Sequence, residues 1–134
     1  MNRYIAQLSQ LTLLLLSIVS SAQLHAASIR PFNLEEFERL SAEGQNILID
    51  VRADWCTSCL LQKKALTEWV YLHPDRNLTI FDVNFDTQKD LVVRFSAPRH
   101  STLILYKGDN LIWISVAETR KERIFLALDE ATAH

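Results

Sequence analysis

The chain has 134 residues, with 14 Lys and Arg against 16 Asp and Glu, 49% hydrophobic residues and two cysteines, which is the size of one compact domain. Its aliphatic content can supply a core, so the composition is not that of a disordered tail. A formal charge of −2, with no basic run longer than two residues, removes the electrostatic case for a nucleic-acid partner.

Between Arg3 and Arg30 no charged residue occurs, and Leu11 to Val19 reads LTLLLLSIV. An apolar run of that length is short for a membrane span and suits a secretory signal. Small residues at Ser20, Ala22 and Ala26 supply cleavage positions. The expectation is a signal peptide over residues 1–22, cleaved after Ala22 or as late as Ala26, and a periplasmic domain over 28–134. If the signal stays uncleaved, the domain is membrane-anchored instead.

Asn33 precedes LEEFERLSAEG, where it can cap a helix whose first turn carries Glu35 and Glu36 and which Gly44 closes. Asn46 to Val51, NILIDV, has the aliphatic density of a central strand, and Asp50 stands out in it as a buried acid. From Cys59 to Pro74 the spacing of Leu66, Trp69, Val70 and His73 predicts a second helix. Leu78 to Phe85 predicts another strand, and Thr87 to Ser96 a third helix on Leu91, Val92 and Phe95. Thr102–Lys107 and Leu111–Val116 flank the turn Gly108-Asp109-Asn110 and predict a hairpin. A capping box from Thr119 to Glu122 opens the last helix. The order implies an α/β domain, a central mixed sheet with helices on both faces and a C-terminal hairpin plus helix.

The chemistry-bearing pattern is Cys56-Thr-Ser-Cys59, placed where a buried strand gives way to a helix. A helix start offers unpaired amide hydrogens and partial positive charge, which favour the Cys56 thiolate as nucleophile. Cys59, about one turn on, can close back onto Cys56 and resolve a mixed disulfide. An inert structural disulfide is disfavoured, because so short a loop constrains the unfolded chain little. A structural zinc site lacks ligands at suitable spacing, since His73 and His100 are far along the chain. Lys63 and Lys64 read as a solvated helix face.

The segment NILIDVRADWCTSCL resembles the active-site strand and loop of the thioredoxin family, and ADWC is similar to thioredoxin domains of bacterial periplasmic reductant relays. LTIFDVNFDTQ and RHSTLILYKGDNLI resemble the family's third strand and closing hairpin, so the likeness covers about residues 30–130. It implies a thioredoxin fold and a protein thiol–disulfide oxidoreductase, more a reductase than an oxidase, whose only redox group is Cys56–Cys59 and which needs no further cofactor. It also implies Asp50 as buried acid, Trp55 as a flat surface beside the sulfurs, and His100 bordering Cys56. Protein substrates, an upstream thiol donor such as a membrane reductant relay, and a monomeric state follow from the same likeness.

The chain departs from the family in three features. Ser101 stands where a cis-proline is usual, and a non-proline cis peptide costs about 3 kcal/mol, which weighs against a cis bond there. Asp82 stands where a lysine is usual, so that Asp50 and Asp82 are expected to titrate as a coupled pair and to serve Cys59 as proton store. Thr57 and Ser58 replace the usual pair between the cysteines and tune the potential. Without the proline ring, two open thiolates could also accept a soft metal, so the alternative is a metal or iron–sulfur carrier.

Overall fold

A computed structural model of the chain describes residues 26–133; the expected signal segment lies outside the described residues. Five strands form one sheet in the order β1-β3-β2-β4-β5. They are β1 (Ser28–Pro31), β2 (Asn46–Arg52), β3 (Thr79–Asn84), β4 (Thr102–Lys107) and β5 (Asn110–Val116). β1 and β2 run parallel to β3, while β4 runs antiparallel to both β2 and β5. Four helices cover the sheet: α1 (Leu34–Ala42), α2 (Thr57–Leu72), α3 (Lys89–Arg94) and α4 (Lys121–Thr132).

β2 is central and buried along all but its last residue, as its aliphatic run requires. Because side chains alternate across a strand, Ile47, Ile49 and Val51 join Leu40, Phe81 and Val92 on the α1/α3 face. Leu48 goes the other way, into a core with Leu66 and Trp69 of α2 and Ile124 and Leu128 of α4. Asp50 shares the face of Leu48 and therefore lies under α2. In the register, Asp82, Asp50 and Leu103 form one rung across β3, β2 and β4. The fold thus delivers two carboxylates to the side of the sheet that carries the cysteines.

The predicted elements recur with small shifts. Asn33 caps α1 by accepting the Glu36 amide hydrogen at 2.9 Å. The β4–β5 turn is tighter than expected: Asn110 already pairs with Lys107, leaving Gly108 and Asp109 as the loop. Gly108 has φ +61°, and a side chain on it would meet the Ser41 carbonyl at 3.1 Å, so the position demands glycine.

One element escapes the sequence and one expectation fails. β1 was not legible, because four residues ending in proline carry no periodicity; it is recognised only by its parallel pairing with β3. The capping box at Thr119 does not form. α4 starts one residue later, with Arg120 at the cap position and no side-chain cap bond. Glu118 takes over: its carboxylate accepts the Arg120 backbone amide at 2.9 Å and the guanidinium at 2.6 and 2.8 Å, and these bonds hold the carboxyl down at about 2.

The edges of the sheet differ. β1 is short and ends at Pro31, whereas β5 has seven residues, none charged, with Leu111, Ile112, Ile114 and Val116 all exposed.

Candidate active site

Cys56 is the N-cap of α2, in extended conformation, and its sulfur accepts the Cys59 amide hydrogen at 3.2 Å. The two cysteines are joined as a disulfide and are almost wholly buried, Cys56 at 6% exposure and Cys59 at 2%. Cys56 is thus the slightly more accessible sulfur and the one at the positive end of the helix. Ser58 Oγ lies 3.3 Å from Cys56 Sγ, so one of the two residues between the cysteines touches the helix-capping sulfur directly.

The loop before β4 supplies the other wall. His100 Nδ1 stands 3.2 Å from Cys56 Sγ and 4.0 Å from Cys59 Sγ. Its ring is held edge-on between Trp55 and Phe85, with centroids 4.6 and 5.6 Å away. Trp55 is 65% exposed, yet its indole N–H donates to Asp86 at 2.8 Å, which fixes the plane it offers to solvent beside the sulfurs.

Ser101 is fully buried, and its peptide bonds are trans, as are all those of the described residues. It adopts φ +59°, a conformation that costs a non-glycine residue about 1–3 kcal/mol. The bonds that hold it there come from Gln62 of α2, which sequence reasoning passed over: its oxygen accepts the Ser101 hydroxyl at 3.0 Å and its nitrogen donates to the Ser101 carbonyl at 3.3 Å. A glutamine on a helix reads as solvated, and only its fully buried position reveals it.

Under α2, Asp50 is 1% exposed and neither carboxylate oxygen has a hydrogen-bond partner among the described residues. Burial, reinforced by the nearby charge of Asp82, raises its carboxyl from 3.8 to about 7. Asp82 is opposite it in the register, as expected, but is not a second isolated acid. Lys63 Nζ donates to Asp82 Oδ2 at 2.7 Å, and Arg52 Nε lies 3.6 Å from Oδ1. Lys63 therefore corrects the reading of a merely solvated face: its partner lies on a strand nineteen residues away, beyond any helical spacing rule. Lys64 is exposed as expected. A cavity of about 90 Å³ beside the sulfurs is lined by Cys56, Cys59, Lys63 and Arg52 among others.

Among the described residues, the donors gathered for a metal are the two sulfurs, once reduced, and one nitrogen of His100, all within 4.8 Å of one another.

A mixed five-stranded sheet whose central strand feeds a helix capped by a cysteine of a Cys-x-x-Cys disulfide defines a thioredoxin-fold redox domain. The chain belongs to the thioredoxin family, a family of thiol–disulfide oxidoreductases: the family described as "Thioredoxin" matches residues 28–130. The solved structure of Trxlp from Edwardsiella tarda EIB202 is 37% identical, with a TM-score of 0.69 over 78% of this chain and 99% of that one. Thioredoxin-T of Drosophila melanogaster is 31% identical over 75 residues, 56% of this chain and 47% of its own length. Thiol:disulfide interchange protein DsbD of Pseudomonas sp. (strain JR1 / K1) is 28% identical over 102 residues, 72% of this chain and 17% of its own length. The chain thus spans less than two thirds of either curated relative.

Proposed function

We propose that this chain is a thiol–disulfide oxidoreductase of the cell envelope that reduces disulfides in exported proteins. The observation that carries the reading is the Cys56–Cys59 disulfide at the start of α2, with His100 Nδ1 at 3.2 Å from the Cys56 sulfur. In the reduced protein, the Cys56 thiolate attacks a substrate disulfide and expels one substrate sulfur as thiolate, which takes up a proton. Cys59, losing its proton, then attacks the Cys56 sulfur of the mixed disulfide, re-forms Cys56–Cys59 and releases the second substrate thiol. Two electrons pass to the substrate, and an upstream dithiol restores the pair.

Each neighbour has a role in this scheme. The imidazole of His100 and the helix start favour the Cys56 thiolate. Asp50, poised near neutral pH, accepts the Cys59 proton through water in the resolving step, and Asp82 with Lys63 sets the field around it. Trp55, His100 and Ser101 border the substrate, and Thr57 and Ser58 tune the potential. No cofactor beyond the disulfide is required, and the domain acts as a monomer.

Envelope location is supported by the uncharged, leucine-rich stretch before Arg30 and its small-residue cleavage positions. The reductase direction, and a membrane reductant relay as donor, are supported by the likeness to the thiol:disulfide interchange protein DsbD. Equilibration in graded thiol buffers tests both enzyme and direction: a potential of about −250 mV or below is expected, whereas about −120 mV makes the protein an oxidant.

A second reading, carriage of a soft metal or iron–sulfur cluster as cargo, is favoured by the three donor atoms gathered at Cys56, Cys59 and His100. Protein purified without oxygen separates the two: a carrier retains thiolate-to-metal absorption bands and fails to cycle, while an oxidoreductase is colourless and changes its Trp fluorescence with redox state.

A further inference from the structure

Gln62 is fully buried on a helix face otherwise made of Cys59, Ala65, Leu66 and Trp69. An amide in such a stripe is costly unless its bonds are made, and a leucine would pack there without that demand. All of its hydrogen bonds leave the helix. The nitrogen donates to the carbonyls of Ser101 at 3.3 Å and Glu118 at 3.0 Å, and the oxygen accepts the Ser101 hydroxyl at 3.0 Å. Because two carbonyls can only accept, the orientation of the amide group is fixed by its partners.

These bonds converge on the residue that most needs restraint. Ser101 sits at φ +59°, which an L side chain adopts only under compulsion. The Ala117 amide also donates to the Ser101 carbonyl, at 2.8 Å. Gln62 alone among the described contacts grips both the hydroxyl and the carbonyl of Ser101, on either side of its Cα. The next residue back is His100, whose Nδ1 faces Cys56 at 3.2 Å. A closed circuit results: α2 carries Cys56, Cys59 and Gln62, Gln62 holds Ser101, and Ser101 holds His100 against the sulfur.

We infer that Gln62 is a positioning residue, which clamps Ser101 in its left-handed conformation and thereby keeps the His100 imidazole against the Cys56 sulfur. The inference rests on the reading that His100 favours the Cys56 thiolate. Its function is to make the loop before β4 and the start of α2 one rigid unit, so that the distance from imidazole to sulfur does not relax when the disulfide opens.

The test is the pH dependence of alkylation of Cys56 by iodoacetamide in the reduced full chain, with thermal unfolding measured alongside. Gln62→Leu is expected to slow alkylation at pH 7 by about 3- to 10-fold, the effect of losing a nearby cationic or donor group from a thiolate. His100→Ala should slow it by the same factor, and the double variant no further. Adding Ser101→Gly to Gln62→Leu should restore the rate, because glycine reaches positive φ unaided. If Gln62→Leu lowers the unfolding temperature but leaves the alkylation profile in place, Gln62 is only structural and the inference falls. Should Gln62→Leu not fold, Ser101→Ala removes a single bond: a smaller slowing supports the inference and an unmoved profile overturns it. If His100→Ala itself changes nothing, the parent reading fails. Gln62 is then judged by the His100 ring resonances, which shift in Gln62→Leu if it positions the ring and stay put if it does not.

Discussion

On the loop side of the disulfide, the Cys56 sulfur meets an imidazole wedged between Trp55 and Phe85, and of these His100 and Phe85 come from segments distant in sequence while Trp55 is the chain neighbour of Cys56. On the sheet side lies Asp50, on the α2 face of β2, its field set by Asp82 and Lys63. The first wall touches the sulfur and can act on its charge directly. The second is buried and can store a proton near neutral pH, because desolvation has pushed a carboxyl up into that range. In the proposed scheme, one disulfide is served by two kinds of control, contact on the exposed side and burial on the other.

Removing either sulfur should have the largest effect. Cys56→Ser should abolish exchange, while Cys59→Ser should still attack and accumulate a mixed disulfide visible by mass spectrometry. Two free thiols of equal reactivity in the single variants would mean that the exposed and buried sides are not distinct.

Asp50→Asn should have the next largest effect, and it appears in stability as well as in rate. The native carboxyl binds its proton up to about pH 7, whereas in the open chain it releases it near 3.8. Between those values the folded state holds more protons than the unfolded state, so stability falls as pH rises from about 4 to about 7 and levels off above. The variant should lose this slope and gain up to roughly 4 kcal/mol at pH 8, read from urea unfolding of the oxidised protein. Its resolving step should be slower, which single-turnover decay of the mixed disulfide measures.

A smaller effect sharpens the sheet side. Lys63→Met removes the ammonium from Asp82 and one of the charges that lower the Asp50 carboxyl, so the Asp50 titration should move upward, as followed by carboxyl infrared bands. Because the pair is partly exposed, the loss of stability should be at most about 1 kcal/mol. On the loop side, Trp55→Ala should leave reduction of small disulfides within about 2-fold and weaken protein substrates more, because an exposed aromatic surface contributes to docking. Equal losses on both substrate types would place Trp55 in the chemistry instead.

The sequence was most informative where one segment carries its own signal. Asn33 and Pro74 bracket helices by local chemistry, and the aliphatic run before Cys56 announces a buried strand feeding a helix. Asp50 was legible for the same reason, as an acid in an aliphatic strand. Gln62 and Lys63 were not, because each has an ordinary helical setting and acquires its meaning from a partner on another element. Thr119 misled in the opposite way: its spacing to Glu122 fits a cap, but the Glu118 carboxylate, one residue earlier, already binds the Arg120 amide. β1 was silent because four residues set no period.

The bare edge at β5 bears on how the protein behaves in concentrated solution. A seven-residue strand with an open hydrogen-bonding side, four exposed aliphatic side chains and no lysine or proline to blunt it is a template on which another extended chain can add. Partly folded copies are the ones that offer such chains, so the hazard is greatest while the domain is still folding and scales with how many copies do so together. A single lysine in place of Ile114 would act as a gatekeeper at that edge.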